Sequence, residues 1–222
     1  MKQLLLTFTF ALPFFFFGQK KQVFQGKLIY QIEIQDTNLR SQFPTSIMTV
    51  YTNDTIVRID NTTSQLGSQS LILHTLLNKS YLLLQTPKGN FAIQTNHNAA
   101  KNQDSVAYTP KYTYKKLKKR QRYLSFKLKR LAVENANFKT PLTFLYDPTL
   151  SPKYINAFLD FPGLPYVYYL ATPDGIFKYS LIKRENFIPK KETFGLPEDY
   201  KKVSFEDFLK EMVPENQVVP KD

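Results

Sequence analysis

The chain has 222 residues, enough for one sizeable domain with its own core, and carries 30 Lys and Arg against 18 Asp and Glu, a formal +12 at pH 7. It has no cysteine, which excludes disulfides, thiolate metal sites, a cysteine nucleophile and the lipid-bearing cysteine of a bacterial lipoprotein. Seven glycines and two histidines leave little material for a phosphate-cradling loop or a clustered imidazole site.

The chain opens Met1-Lys2-Gln3 and continues LLLTFTFALPFFFF before Gly18-Gln19-Lys20-Lys21. A positive end, a short apolar run and a small-residue exit read as a secretory signal peptide over residues 1–18, cut near Gly18 or Gln19; a bilayer span needs about 20 residues. An uncleaved anchor is the competing reading. The address that follows is the periplasm or exterior of a Gram-negative bacterium, with residues 19–222 as one antiparallel β domain.

Residues 24–35, FQGKLIYQIEIQ, alternate: Phe24, Gly26, Leu28, Tyr30, Ile32 and Ile34 fall on one face and polar residues, Ile29 apart, on the other. Period two predicts a long half-buried strand. SIMTVYT (46–52) and TIVRID (55–60) flank Asn53-Asp54 and predict a hairpin. SLILHTL (70–76), SYLLLQT (80–86) and NFAIQT (90–95) are further strands, apolar enough for both faces to be covered. Residues 96–110 have no periodicity and predict a loop.

Between Lys111 and Arg130 stand ten Lys or Arg and no acid, so most of the net charge is one local stripe. Its alternation, with Leu124, Phe126 and Leu128 set against Ser125, Lys127 and Lys129, predicts two strands with a solvated face and an irregular join near residues 118–121. A helix over residues 113–122 competes, because Lys and Arg tolerate it well. SPKYINAFLDF (151–161) suits a short helix. Pro162-Gly163-Leu164-Pro165 then punctuates the chain, two fixed φ values that should not continue a regular ladder. Residues 166–171 and 175–185 predict a hairpin turning through Thr172-Pro173-Asp174-Gly175. At the end, Ser204 with Asp207 caps a helix over 205–212, its stripe being Phe205, Phe208, Leu209 and Met212, and Pro214 stops it. The sum is eight to ten strands: a mainly β fold, a curved antiparallel sheet or half-barrel with a short C-terminal helix.

Phe161 with Gly163-Leu164-Pro165, the leader, the strand FQGKLIYQIEI, the pair MTVYTNDTIVRID and the closing FGLPEDYKKVSFEDFLKEM resemble a secreted Gram-negative family of unknown function named for its Gly-Leu-Pro-Gly-Leu-Ile motif. Phe194, Pro197 and Tyr200 match its F-x-x-P-x-x-Y ending, whereas Tyr166-Val167 replaces the second Gly-Leu. A looser likeness is to lipoprotein-carrier (LolA/LolB-like) half-barrels. The resemblance implies an envelope protein with an apolar cavity and transfers no catalytic residue.

The residues themselves assemble no reaction. His74 lies in an apolar strand and His97 in a polar loop, neither at metal-ligand spacing, and no Gly-x-Ser-x-Gly elbow presents a serine. Asp147, Asp160 and Asp174 could serve a glycosidase, yet each lies in turn-forming company where Asp caps backbone. No cofactor is expected. The stripe interleaves cations with Tyr112, Tyr114, Tyr123 and Phe126, a recipe for single-stranded nucleic acid, but the leader takes the chain away from that partner and towards anionic lipid or polysaccharide. The aromatics fill a core or line a cavity for an acyl chain. Two non-enzymatic readings therefore stand: a binding protein for a lipid or other apolar ligand, and an interaction protein meeting an anionic envelope surface through Lys115, Lys116, Lys118, Lys119, Arg120, Arg122, Lys127 and Lys129.

Overall fold

A computed structural model describes residues 21–53, 55–63, 67–74, 76–77, 79–96, 112–151 and 161–212. The leader, the 97–110 loop, the short helix expected near 152–160, His97, Asp160 and the C-terminal tail lie outside the described residues. In chain order the strands are β1 (Gly26–Ile34), β2 (Ser46–Thr52), β3 (Ile56–Thr63), β4 (Gly67–His74), β5 (Lys79–Thr86), β6 (Gly89–Asn96), β7 (Thr113–Tyr123), β8 (Phe126–Glu134), β9 (Leu142–Asp147), β10 (Leu164–Thr172), β11 (Gly175–Asn186) and β12 (Lys201–Ser204), followed by helix α1 (Phe205–Met212). All twelve join one curved, unclosed sheet in the order β12-β6-β5-β4-β3-β2-β1-β11-β10-β9-β8-β7. Every pairing is antiparallel except β12 on β6.

The expectation of eight to ten strands missed β9 and β12. In β9 the run Phe144, Leu145, Tyr146 is buried on both faces, so no alternation marks it. β12 is four residues long and carries no pattern. The join in the basic stripe is also corrected. β7 runs unbroken to Tyr123, the irregularity at 118–120 is a bulge within it, and the chain turns at Leu124-Ser125. Leu124 takes φ +51, a conformation in which a two-residue hairpin loop usually places glycine. The ladder is irregular at Pro165 as expected, its register slipping between Pro165 and Val167, but β10 begins at Leu164 opposite Asp147, two residues earlier than the expected start at Tyr166. A bulge tolerates the missing N–H. Gly163 is needed there, because a Cβ would sit 2.1 Å from the Asp147 carbonyl oxygen.

Other turns follow the sequence. Asn53 Oδ1 accepts from the N–H groups of Thr55 (2.9 Å) and Ile56 (2.8 Å), fixing the β2–β3 hairpin. Thr172 pairs Gly175 across Pro173-Asp174, with Gly175 at φ +140. Ser204 Oγ accepts from Asp207 N–H at 3.1 Å and donates to its Oδ2 at 2.7 Å, a reciprocal N-cap. The α1 stripe is only half used: Phe208 packs edge-on against Phe91, while Phe205 and Leu209 are exposed.

The curl of the sheet makes the core. Tyr30, Tyr166 and Tyr168 are fully buried, and Tyr168 stacks on Tyr179 with centroids 4.6 Å apart. The Tyr30 hydroxyl crosses over β11 to donate to the Pro165 carbonyl at 2.9 Å. The far edge folds back over this layer: Tyr123 shares a hydrogen bond with Ser180, Phe126 packs on Tyr166, and the Ala171 N–H donates to the Tyr112 hydroxyl at 3.4 Å. A smaller cluster on the opposite face, Ile72, Leu83 and Ala92, is covered by Leu196 and Tyr200 from the crossing segment between β11 and β12.

Two predictions test this core. Tyr30→Phe should cost about 1–3 kcal/mol, since it strands a buried carbonyl; a chemical-denaturation midpoint equal to wild type would contradict the bond's role. Burial pushes the phenols of Tyr30, Tyr166, Tyr168 and Tyr179 up from their ordinary value. The folded state then keeps protons that the unfolded chain releases from about pH 10, so these groups leave stability flat below that pH and lower it above. Alkaline titration should show part of the phenolate absorbance of the fourteen tyrosines appearing only with cooperative unfolding. Uniform ionisation of all fourteen near pH 10 with the fold intact would refute it.

Candidate anionic-surface interface

β7 is one of the sheet's two outer strands and, among the described strands, is paired only to β8. Lys115, Lys116, Lys118, Lys119, Arg120 and Arg122 lie on it, Lys127 and Lys129 on β8, and all eight are exposed. The expected single wet face is corrected: an edge strand has solvent on both sides, and residues 113–116 and 118–122 are exposed whichever way they point. Arg130, the next cation along, is half-buried against the core side.

Register decides the electrostatics. Arg122 stands opposite Lys127. The bulge sets Lys118, Lys119 and Arg120 against the single residue Lys129, because Leu117 pairs Arg130 and Gln121 pairs Leu128. Like charges directly across a ladder are destabilising. Among the described residues none of the eight makes an ion pair that would offset this. The hairpin is thus a concentrated positive field open to solvent. Its aromatics are not free for stacking on bases: Tyr112, Tyr123 and Phe126 turn into the core, and Tyr114 packs edge-on against Phe161.

A second feature was not foreseen. A cleft of about 710 Å³ is lined by Lys21, Gln22, Val23, Phe24, Leu150 and Arg184, among others. The Arg184 guanidinium lies 5.3 Å from the Phe24 ring centre and 5.0 Å from that of Phe126. Its Nη1 donates to the Tyr166 hydroxyl at 2.8 Å and approaches Asp147 Oδ2 at 3.5 Å. Asp147 Oδ1 meanwhile accepts from the Thr149 N–H and hydroxyl, so the carboxylate caps a turn and holds an arginine. These partners are scattered through the sequence, and only the turn role of Asp147 was readable there. Asp174 occupies the β10–β11 turn, and His74 closes β4 opposite Ile56 and Lys79. Among the described residues no three His, Asp or Glu group where a metal could sit.

Arg184→Met keeps the stem but leaves Tyr166 and Asp147 without their partner, an expected loss of about 1–3 kcal/mol. Arg184→Lys should recover little of it, since an ammonium cannot lie flat between two rings and reach both oxygens. Full recovery in thermal unfolding would argue that charge alone matters. Compared with models of known families and with curated proteins, the chain matches none.

Proposed function

We propose that this is a non-enzymatic protein of the bacterial envelope that engages an anionic partner through the β7–β8 hairpin. The observation that carries the reading is the cross-strand register: cations face cations with no acid among them, an arrangement that loses stability alone and gains it when a polyanion lies against it. The leader-like N-terminus supports the location, and the likeness to the Gly-Leu-Pro-Gly-Leu-Ile family rests on the quoted motifs. Core use of Tyr30, Tyr166 and Tyr168 turns weight from a large apolar cavity to the surface. A second reading, a lipid or other apolar ligand with an acidic group, has the cleft in its favour, where Phe24 and Leu150 border Arg184. Native mass spectrometry of the chain from Gln19 would reveal it as an extractable added mass.

The test is binding to vesicles rich in anionic lipid and to soluble dextran sulfate across a salt series. A cation near an anionic lipid surface contributes about 1 kcal/mol. Replacing Lys118, Lys119, Arg120 and Arg122 by Gln should therefore weaken vesicle binding by roughly tenfold to a thousandfold at low salt and flatten the salt dependence. The melting temperature should not fall, because repulsion is removed with the charge. Undiminished binding to both probes would discard the proposal.

A further inference from the structure

The antiparallel register collects chain ends that are far apart in sequence onto one rim of the sheet. His74, closing β4, pairs Ile56, which opens β3; Thr52, closing β2, pairs Gly26, which opens β1; and Gly26 pairs Asn186, which closes β11. On the other side Leu164 opens β10 opposite Asp147, which closes β9, and Tyr123 pairs Phe126 at the tip of the basic hairpin. The Leu76-Leu77 turn, the Leu124-Ser125 turn and Phe187-Ile188 therefore share this rim.

Among the described residues the three large apolar side chains most open to water, Ile188, Leu76 and Leu77, are all on this rim, and Leu124 and Phe187 are exposed to a degree shared by Phe205 and Leu209 of α1 and Ile182 within β11. Leu76 is 76% exposed, Leu77 63%, Ile188 78%, Leu124 49% and Phe187 42%. Among the described residues of the opposite rim only Ile47 and Tyr114 are comparable, at 39% and 38%. Strand order puts seven inter-strand steps between the Leu76-Leu77 and Leu124 tips, roughly 34 Å along the curve at about 4.8 Å per step. Apolar tips strung along a curved rim with Arg122, Lys127 and Lys79 among them do not make the charge-depleted dry centre of a protein interface. They fit a fluid surface that each can enter separately.

Two further facts choose that surface. Arg122 and Lys127 flank Leu124 at the hairpin tip, and Lys79 and Lys21 are exposed on the same rim. The acids described there, Asp147 and Glu185, are paired with Arg184 and Lys183. Phe205 also lies on this rim but stands beside Glu206 and Asp207, which an anionic surface repels, so it is set apart. Leu124 holds a left-handed φ that a non-glycine residue rarely adopts, at a tip where its side chain stays half exposed.

We propose that this rim docks onto an anionic lipid bilayer, with Leu76, Leu77, Leu124 and Ile188 entering the headgroup region while Arg122 and Lys127 lie against lipid phosphates. The inference rests on the anionic-partner reading and narrows the partner to a lipid surface.

The chain has no tryptophan, so single-tryptophan variants report depth without background. Leu77→Trp and Leu124→Trp, with Ile47→Trp as the opposite-rim control, are mixed with phosphatidylglycerol–phosphatidylcholine vesicles carrying brominated acyl chains. Quenching and blue shift at Leu77→Trp and Leu124→Trp but not at Ile47→Trp are expected. A second variant, Leu76→Ser/Leu77→Ser/Ile188→Ser, should lose at least tenfold in vesicle affinity at high salt, where charge is screened. Vesicle binding with no quenching at any probe, or with the triple variant unaffected, overturns insertion and leaves the anionic-partner reading intact. Binding to dextran sulfate without binding to vesicles does the same and identifies a polymer as the partner. Binding to neither overturns both.

Discussion

The hydroxyl of Tyr30 reaches across β11 to the carbonyl of Pro165, and the fold depends on that reach. Strands two places apart in a flat sheet are separated by nearly 10 Å, beyond a tyrosine lying between them. The 2.9 Å bond exists because the sheet curls and because the bulge between Pro165 and Val167 turns the carbonyl inward. Among the described residues α1 is the one α-helix, and no helical layer covers the apolar side. The sheet covers itself, and Tyr112, Tyr123 and Phe126 from its far edge complete the cover. The Gly163-Leu164-Pro165 stretch stands at the point of closest approach, where Gly163 has no room for a Cβ and Pro165 supplies the accepting oxygen. It is a scaffold element.

What could be read from the sequence follows from this arrangement. Strands with one wet face, such as β1 and β11, announce themselves by alternation, and turns with Asn53 or Gly175 by composition. β9 carries no such mark because the curl buries it on both sides. The bulge at 118–120 was expected as a join, since an unpaired run of cations interrupts alternation as a loop would. The turn at Leu124 had no glycine to betray it. The charge run made the solvent exposure of the eight cations legible, but which cation faces which is a matter of register, and register is fixed only where Tyr123 pairs Phe126. The rim was not legible at all, because Leu77, Leu124 and Ile188 come onto one edge through strand direction and sheet order alone.

A long outer strand such as β7 invites pairing with other chains, and lysines on an edge are a common way to prevent it. That protection accounts for cations on β7. It does not account for Lys127 and Lys129 on β8, which already has partners on both sides and gains nothing from repelling a third. Nor does it account for an exposed leucine at the tip in a conformation that favours glycine. Edge protection needs charge on one strand; here the charge is doubled across the ladder and ends on an apolar point. The excess over what folding requires is the part that calls for a partner, and its composition, cations behind and aliphatic tips in front, matches the layering of phosphate over hydrocarbon at a bilayer surface.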